Sequence, residues 1–460
     1  MTDLSAPPAE ALSIHSPADG RFVGWLPAAS HQEVASALDA ARAVAPVWGR
    51  RAPAERATLL HLAASDLREQ VDELADTVVA ETGRSPVSAR EGIEAGASTL
   101  DQYAELGPVR GGRSLLGASD ATDFMIPEPR GVVVALTPWN DPVAVACGLL
   151  GAALVTGNVV IHKPSERCPH LGMQLGQVLG EHFPEGVLQT LLGDGRVGAL
   201  LGGDHRVDVV AHVGSTATGR SIAAATARTG AKALLENGGN DPVVIDSDVD
   251  PAWAAEQTAV GAFTNAGQMC TSVERVYVHR AVADEFLDAL CSQARRWNAD
   301  PQPLVDTRQR EHVHSQVLEA AEAGAELLVG GRLPDRDGAY YPATVLTGCT
   351  PGMRVMREET FGPVAAVRVV DDFDQALAEA CDDAYGLAAT VLTGSMAHAQ
   401  QAWRALQVGT VKVNAVFGGA PGGAAQPRRA SGTGFGYGPE LLDEMTTIKV
   451  VHLEPAPPRR

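Results

Sequence analysis

The hydrophobic pattern resolves into elements most clearly at 131–163, where "GVVVALTPWNDPVAVACGLLGAALVTGNVVIHK" is apolar almost throughout. The run is long enough to cross a bilayer, yet Pro138, Asn140, Asp141 and Pro142 interrupt it near its middle. It reads instead as a buried strand over 131–136, an Ala- and Gly-rich helix over 142–156 and a strand over 159–162, which is a β-α-β unit. The alternation continues with helix 169–182, strand 187–191, helix 196–202, strand 207–213, helix 217–229 and strand 231–235. Such alternation predicts an α/β fold around an open, doubly wound parallel sheet, whose ligands bind beyond the carboxyl ends of the strands.

Upstream, helical periodicity runs over 31–49 and again over 53–83, the second stretch ending at Gly83. Downstream, helices over 252–266, 281–297 and 308–323 interleave with strand-like runs at 273–278, 326–329 and 364–370, which predicts a second α/β unit. Residues 417–440 are dense in Pro and Gly and lie between strand-like "GTVKVN" and "TTIKVVHLE", so they are expected to form a long loop. No internal repeat is evident.

Composition adds limits. At 460 residues with 45% hydrophobic content, two or three packed units are expected. The net charge of -20, with no Lys/Arg run longer than two, argues against a nucleic-acid partner. The first twenty residues carry acids and prolines where a secretory peptide needs basic and then apolar residues, so a cytoplasmic protein without a membrane partner is expected. Six cysteines, at 147, 168, 270, 291, 349 and 381, include no C-x-x-C pair, so free thiols and no metal site are expected.

One of those thiols sits in "GAFTNAGQMCTSVERVYV", residues 261–278. Asn265, Gly267 and Gln268 favour a turn ahead of Cys270, and Val273, Val276 and Val278 favour a strand after it. Alone, such a cysteine is an ordinary small buried hydrophobe. Glycine-rich turns mark where a nucleotide would lie. "GDGRVG" at 193–198 lacks the acidic residue that the dinucleotide fingerprint places at the end of the next strand. In "VGSTATG", at 213–219, Gly214, Ser215 and Thr216 open a helix whose free amides suit a pyrophosphate, although an ordinary N-cap has the same sequence.

In order along the chain, "TPWNDP" (137–142), "IHKPSE" (161–166), "VGSTATG" (213–219), "LLENGG" (234–239), "GQMC" (267–270) and "EETFGPV" (358–364) resemble the signatures of the aldehyde dehydrogenase superfamily. The resemblance extends from about residue 11 to the end. It implies a Rossmann-like cofactor domain over 1–110 and 131–237, an α/β catalytic domain over 238–415 and oligomerisation strands over 111–130 and 430–460, in a homodimer or homotetramer. It also implies that Cys270 attacks an aldehyde as nucleophile, that Asn140 and the Cys270 backbone N–H hold the oxyanion, and that Glu236 activates the water that cleaves the thioester. Thr137, Trp139, Lys163, Ser165, Glu166, Gly195, Gly214, Ser215 and Gly219 are the implied cofactor contacts, and Glu359 and Phe361 fix the nicotinamide ribose and ring. Glu166 would accept from the adenine ribose hydroxyls and repel a 2′-phosphate, which favours NAD, while small Ser165 leaves room for NADP.

Some positions depart from the family pattern. Asn237 stands where leucine is usual and Asn240 where lysine is usual, the latter also occurring in relatives that act on small polar or anionic aldehydes; Arg429 takes a lysine slot. Asp141 replaces an aromatic residue of the aldehyde tunnel, and with Met269 and Thr271 it is the expected substrate pocket. A carboxylate there would strand a charge against an alkyl chain, so a small polar aldehyde is expected. An anionic aldehyde would need Arg428 or Arg429 to offset Asp141. Two rival readings are a coenzyme A-acylating semialdehyde dehydrogenase, whose members commonly lack the glutamate that Glu236 supplies, and a catalytically silent NAD-binding protein of the same fold.

Overall fold

The computed structural model of the chain describes residues 11–419 and 423–456. Four of the predicted parallel strands form the centre of one sheet, in the order Lys232–Glu236, Val209–Val213, Val132–Leu136, Val159–Lys163, with Leu188–Thr190 at one edge. Val132 to Ala135 and Val159 to Ile161 are fully buried, as expected for strands covered by helices on both faces. The two cover helices, Pro142–Val155 and Pro169–Gly180, each start on a proline whose missing N–H is no loss in a first turn.

The second unit is a seven-stranded sheet in the order Glu326–Val329, Thr344–Thr347, Val364–Val370, Val273–His279, Asp241–Ile245, Ala388–Leu392, Thr410–Val413. It is parallel except where Glu326–Val329 runs against Thr344–Thr347. Buried apolar side chains cover both of its faces, Phe263 and Phe286 on one and Val317 and Phe373 on the other. A third sheet pairs Thr446–Leu453, Thr122–Pro129 and Arg113–Leu115 antiparallel. The expected fold class, a doubly wound unit joined to a second α/β unit with a small β extension, is the fold observed.

Details differ from the sequence reading. The stretch 53–83 is two helices, Pro53–Glu69 and Val71–Thr82, broken at Gln70; Gly83 closes the second with φ +74°. The 24-residue helix Pro86–Val109 was not anticipated. Neither was the hairpin of Ala11–His15 with Phe22–Pro27. The long loop is not wholly irregular, because Gly432–Thr433 pairs antiparallel with Leu235 and Glu236 and so adds a sixth strand to the first sheet. Of the expected domain ranges, residues 1–10 and 457–460 lie outside the described residues. Among the described residues no helix is long and apolar enough to cross a membrane.

Candidate functional site

The carboxyl end of the first sheet meets the amino end of the second, where Gly239, Cys270 and Phe361 each precede a strand. In the first, the register sets Leu136 beside Lys163 and His212, and Val213 beside Glu236. Thr137, Lys163, Gly214 and Glu236 therefore emerge from four neighbouring strands along one edge, where an open α/β sheet offers its crevice.

Cys270 reaches that crevice from the other unit through an unusual turn. After the helix Pro251–Phe263 the backbone passes through Asn265, Ala266 and Gly267 at φ +51°, +54° and +72°. Only glycine takes such values at no cost. At Gly267 a side chain would also collide with the Gly362 backbone. Gln268, 1% exposed, locks the turn: its Nε2 donates to Asn265 O at 3.0 Å and its Oε1 accepts from Val305 N at 2.9 Å. Asn140 Nδ2 donates to Gln268 O at 3.0 Å, which sets the "PWN" loop against the cysteine loop.

The thiol of Cys270 and the carboxylate of Glu236 lie close enough for each to shift the other's ionisation. Cys270 keeps a partial opening to solvent. Even so, burial pushes its thiol well above the usual range, and the charges of Glu236, Asp241 and Glu359 add to the shift. Burial also raises Glu236. Gly436, from the long loop, packs against Glu236 so closely that a Cβ would lie 2.6 Å from its Oε2. Glu359 Oε1 accepts from Gly239 N at 3.0 Å, and burial pushes its carboxyl up as well. Phe361, at φ +49°, stands edge-on to Trp139 with 5.5 Å between ring centroids. Met269 and Thr271 flank the thiol and are partly buried.

The remaining candidates line the first sheet's edge. Lys163 Nζ donates to Pro164 O and Gly193 O at 2.7 and 2.8 Å and stands 4.0 Å from Glu166, whose side chain is 42% exposed. Ser165 is buried and its Oγ accepts from Arg167 N. The Thr137 hydroxyl turns inward to His162 Nε2 at 2.9 Å, and burial holds that imidazole neutral, with its pKa lowered to about 3. Ser215 caps the helix Thr216–Thr229 by accepting from Thr218 N. Gly219 lies against Asn237, where a side chain would overlap Asn237 Oδ1. Gly195 opens the helix Gly195–Gly202 with nothing within 4 Å of where a Cβ would be.

Two substrate-side expectations change. Asp141 is not an uncompensated carboxylate: its Oδ1 sits 2.6 Å from Arg84 Nη1, and that guanidinium also donates to Asn140 O at 2.9 Å. Arg84 is 8% exposed and follows Gly83, 57 residues before Asp141, so local patterning offered no sign of the pair. Asn240 is 1% exposed, and its amide faces a void of about 10 Å³ also lined by Asp241 and Arg275, room for one water. Arg429 is spent on Cys381 O and Asp383 O, and Arg428 on Gln407, so neither offsets Asp141. Arg167 was also overlooked: its guanidinium lies over the Trp139 ring at 5.1 Å and pairs with Asp306 at 3.2 Å. Among the described residues no cluster of His, Cys, Asp and Glu has a metal-binding arrangement.

The aldehyde dehydrogenase family profile matches residues 5–451. The chain belongs to the aldehyde dehydrogenase family. An aldehyde dehydrogenase of Paenarthrobacter nicotinovorans is 34% identical over 421 residues, which span 86% of this chain and 90% of that one. An indole-3-acetaldehyde dehydrogenase solved with NAD+ superposes with a TM-score of 0.93 at 31% identity, covering 98% of this chain and 94% of that one. An NAD-dependent aldehyde dehydrogenase of Sinorhizobium meliloti gives 0.93 at 32%, covering 99% and 94%. The reaction class is that of an aldehyde dehydrogenase, oxidation of an aldehyde with hydride transfer to NAD(P).

The electrostatics of this aldehyde dehydrogenase site make one prediction. Because the Glu236 charge contributes to the raised Cys270 thiol, Glu236→Gln should lower the pH midpoint for alkylation of Cys270 by iodoacetamide. Alkylation rates measured across pH in both proteins decide it; an unchanged or higher midpoint contradicts the coupling.

Proposed function

We propose that the chain oxidises a small polar aldehyde to its carboxylic acid, using NAD in preference to NADP, through a thiohemiacetal and then a thioester on Cys270. The observation that carries this reading is the convergence of Cys270, Glu236 and Asn140 at the meeting point of two sheets. The Cys270 thiol gives up its proton to solvent, and the sulfur attacks the carbonyl carbon. The charge on the former carbonyl oxygen is met by the Cys270 backbone N–H and the second N–H of Asn140 Nδ2. NAD, when bound, supplies the hydride acceptor. Glu236, no longer facing a thiol, draws the proton from a water that cleaves the thioester, which releases the acid and returns the sulfur. The presence of Glu236 favours hydrolysis over transfer to coenzyme A, and the complete set of three groups disfavours a silent protein.

Orphaned polar atoms support the cofactor assignment. Both ring nitrogens of buried His212 and the hydroxyl of Thr216 have no partner among the described residues, and they flank Ser215 at the free amides of the helix Thr216–Thr229. With the open surface at Gly195 they form a cradle suited to a dinucleotide. Lys163, Ser165, Glu166, Gly214, Ser215 and Gly219 would hold its adenosine and phosphates, and Thr137, Trp139, Glu359 and Phe361 its nicotinamide end. Glu166 is the exposed charge where the ribose hydroxyls would rest, while Lys163 and Arg167 are already engaged.

The reading of a polar substrate rests on the Arg84–Asp141 pair: where it lines the pocket, an alkyl chain would desolvate it without return. For assembly we propose a homodimer or homotetramer built on edge strands. Ile448, Val450 and Leu453 are 55%, 63% and 55% exposed on the edge strand Thr446–Leu453, and Thr410–Val413 leaves the seven-stranded sheet open at its end. Long apolar edges are seldom left bare.

Three tests follow from these assignments. Cys270→Ala should abolish NADH formation while binding NAD as wild type does, and Glu236→Gln should give a single burst of NADH and then stall at the thioester; repeated turnover by the first, or full activity in the second, would falsify the roles. Specificity constants over NAD and NADP, each with hexanal and a short hydroxyaldehyde, should rank NAD and the hydroxyaldehyde higher, and a reversed rank removes the corresponding half of the reading. In light scattering, Ile448→Glu combined with Val450→Glu should shift the protein to monomer, whereas an unchanged mass places the contact elsewhere.

A further inference from the structure

Glu274 is the second residue of the strand Val273–His279, four residues after Cys270, and it is 4% exposed. In a strand otherwise built of Val, Arg, Tyr and a closing His, a buried acid needs strong partners. Both of its oxygens have one: Oε2 accepts from Thr360 N at 2.6 Å and Oε1 from Phe361 N at 2.8 Å. Two glutamines of the helix Thr307–Glu322 complete the bracket. Gln316, fully buried, donates through Nε2 to Glu359 O at 3.0 Å and accepts the Thr360 hydroxyl through Oε1 at 2.9 Å. Gln309 Nε2 donates to Thr360 O and Phe361 O at 3.3 and 3.1 Å.

These polar groups of the 359–361 turn are thus held by side chains, not by a ladder of backbone bonds. Within the turn Phe361 carries φ +49°, a conformation that a bulky residue adopts only under constraint. We infer that Glu274 is a positioning residue: with Gln309 and Gln316 it holds the strained turn so that Glu359 and Phe361 are presented, pre-formed, to the nicotinamide end of the cofactor. The inference rests on the cofactor reading above. The carboxylate is specific to the task because two amides point at it, and a glutamine would offer one oxygen and turn its own N–H₂ toward the other N–H. The turn also abuts the cysteine loop where Gly362 meets Gly267, yet the Glu274 side chain hydrogen-bonds to Thr360 and Phe361 and not to Cys270 or Asn140.

The test is Glu274→Gln, read by calorimetric titration with NAD, by the alkylation rate of Cys270 and by thermal melting. The expected result is NAD affinity weakened about tenfold or more, the loss typical of one buried amide left without an acceptor, with alkylation within about twofold of wild type. Gln309→Ala, which removes only the two bonds to carbonyls, should weaken NAD binding in the same direction and provides the measurement if the first variant does not fold. Unchanged NAD affinity in both variants overturns the inference, as does a loss of NAD binding, alkylation and melting temperature together, which would mark a general support of the fold. A wild-type protein that binds no NAD would instead defeat the cofactor reading itself.

Discussion

Three consecutive residues in left-handed backbone, Asn265 to Gly267, are the constraint around which the site is arranged. Two of them carry a Cβ, and each costs of order 1 kcal/mol or more in that conformation. The turn exists because its surroundings over-determine it: Gln268 ties it to Asn265 and Val305, and Asn140 fastens it to the opposite unit. Without the turn the chain would leave its helix and enter the strand Val273–His279 along a shorter path, and Cys270 would not stand at the mouth of the first sheet. The glycine pair Gly267 and Gly362 is the steric side of the same constraint, since a side chain on Gly267 would drive apart the two loops that meet there.

Closing two sheets around one thiol gathers acids. Glu236, Asp241, Glu274 and Glu359 all have their carboxyls pushed up by burial, Asp241 to about 8. The same enclosure raises Cys270, so the free protein rests with a neutral thiol instead of an exposed nucleophile. In the proposed mechanism the need for Glu236 falls on the water that cleaves the thioester, since its charge opposes the thiolate. It also accounts for Gly436, whose missing side chain leaves Glu236 room beside the sulfur.

Much of this was legible in the sequence, for identifiable reasons. Parallel strands covered on both faces must be continuously apolar, so "VVVAL" and "VVIHK" were found within a residue or so of their true ends. The cysteine turn was marked by Asn265, Gly267 and Gln268. The helix Pro86–Val109 was missed because its buried positions are mostly Ala and Gly, so that only Ile93, Leu100 and Tyr103 supply large side chains to the stripe. Arg84 and Glu274 were missed for a different reason. Each reads locally as an ordinary polar residue, and its meaning comes from a partner 57 or 86 residues away, a distance that only the tertiary fold closes.

The cations around the crevice show how those long-range pairs shape function. Lys163 is held by two carbonyls, Arg167 by Asp306 and the Trp139 ring, and Arg84 by Asp141 and the Asn140 carbonyl. Each is mostly buried, so drawing it toward a ligand would strand the group it leaves, a cost of several kcal/mol for a buried pair. Glu166, by contrast, extends an exposed charge with only a distant lysine to answer it. Glu166 thus sets a negative charge at the adenosine end of the proposed cofactor crevice, while Lys163, Arg167 and Arg84 are held by internal partners. A 2′-phosphate on the cofactor would meet the exposed Glu166 carboxylate, which is the electrostatic basis of the proposed preference for NAD.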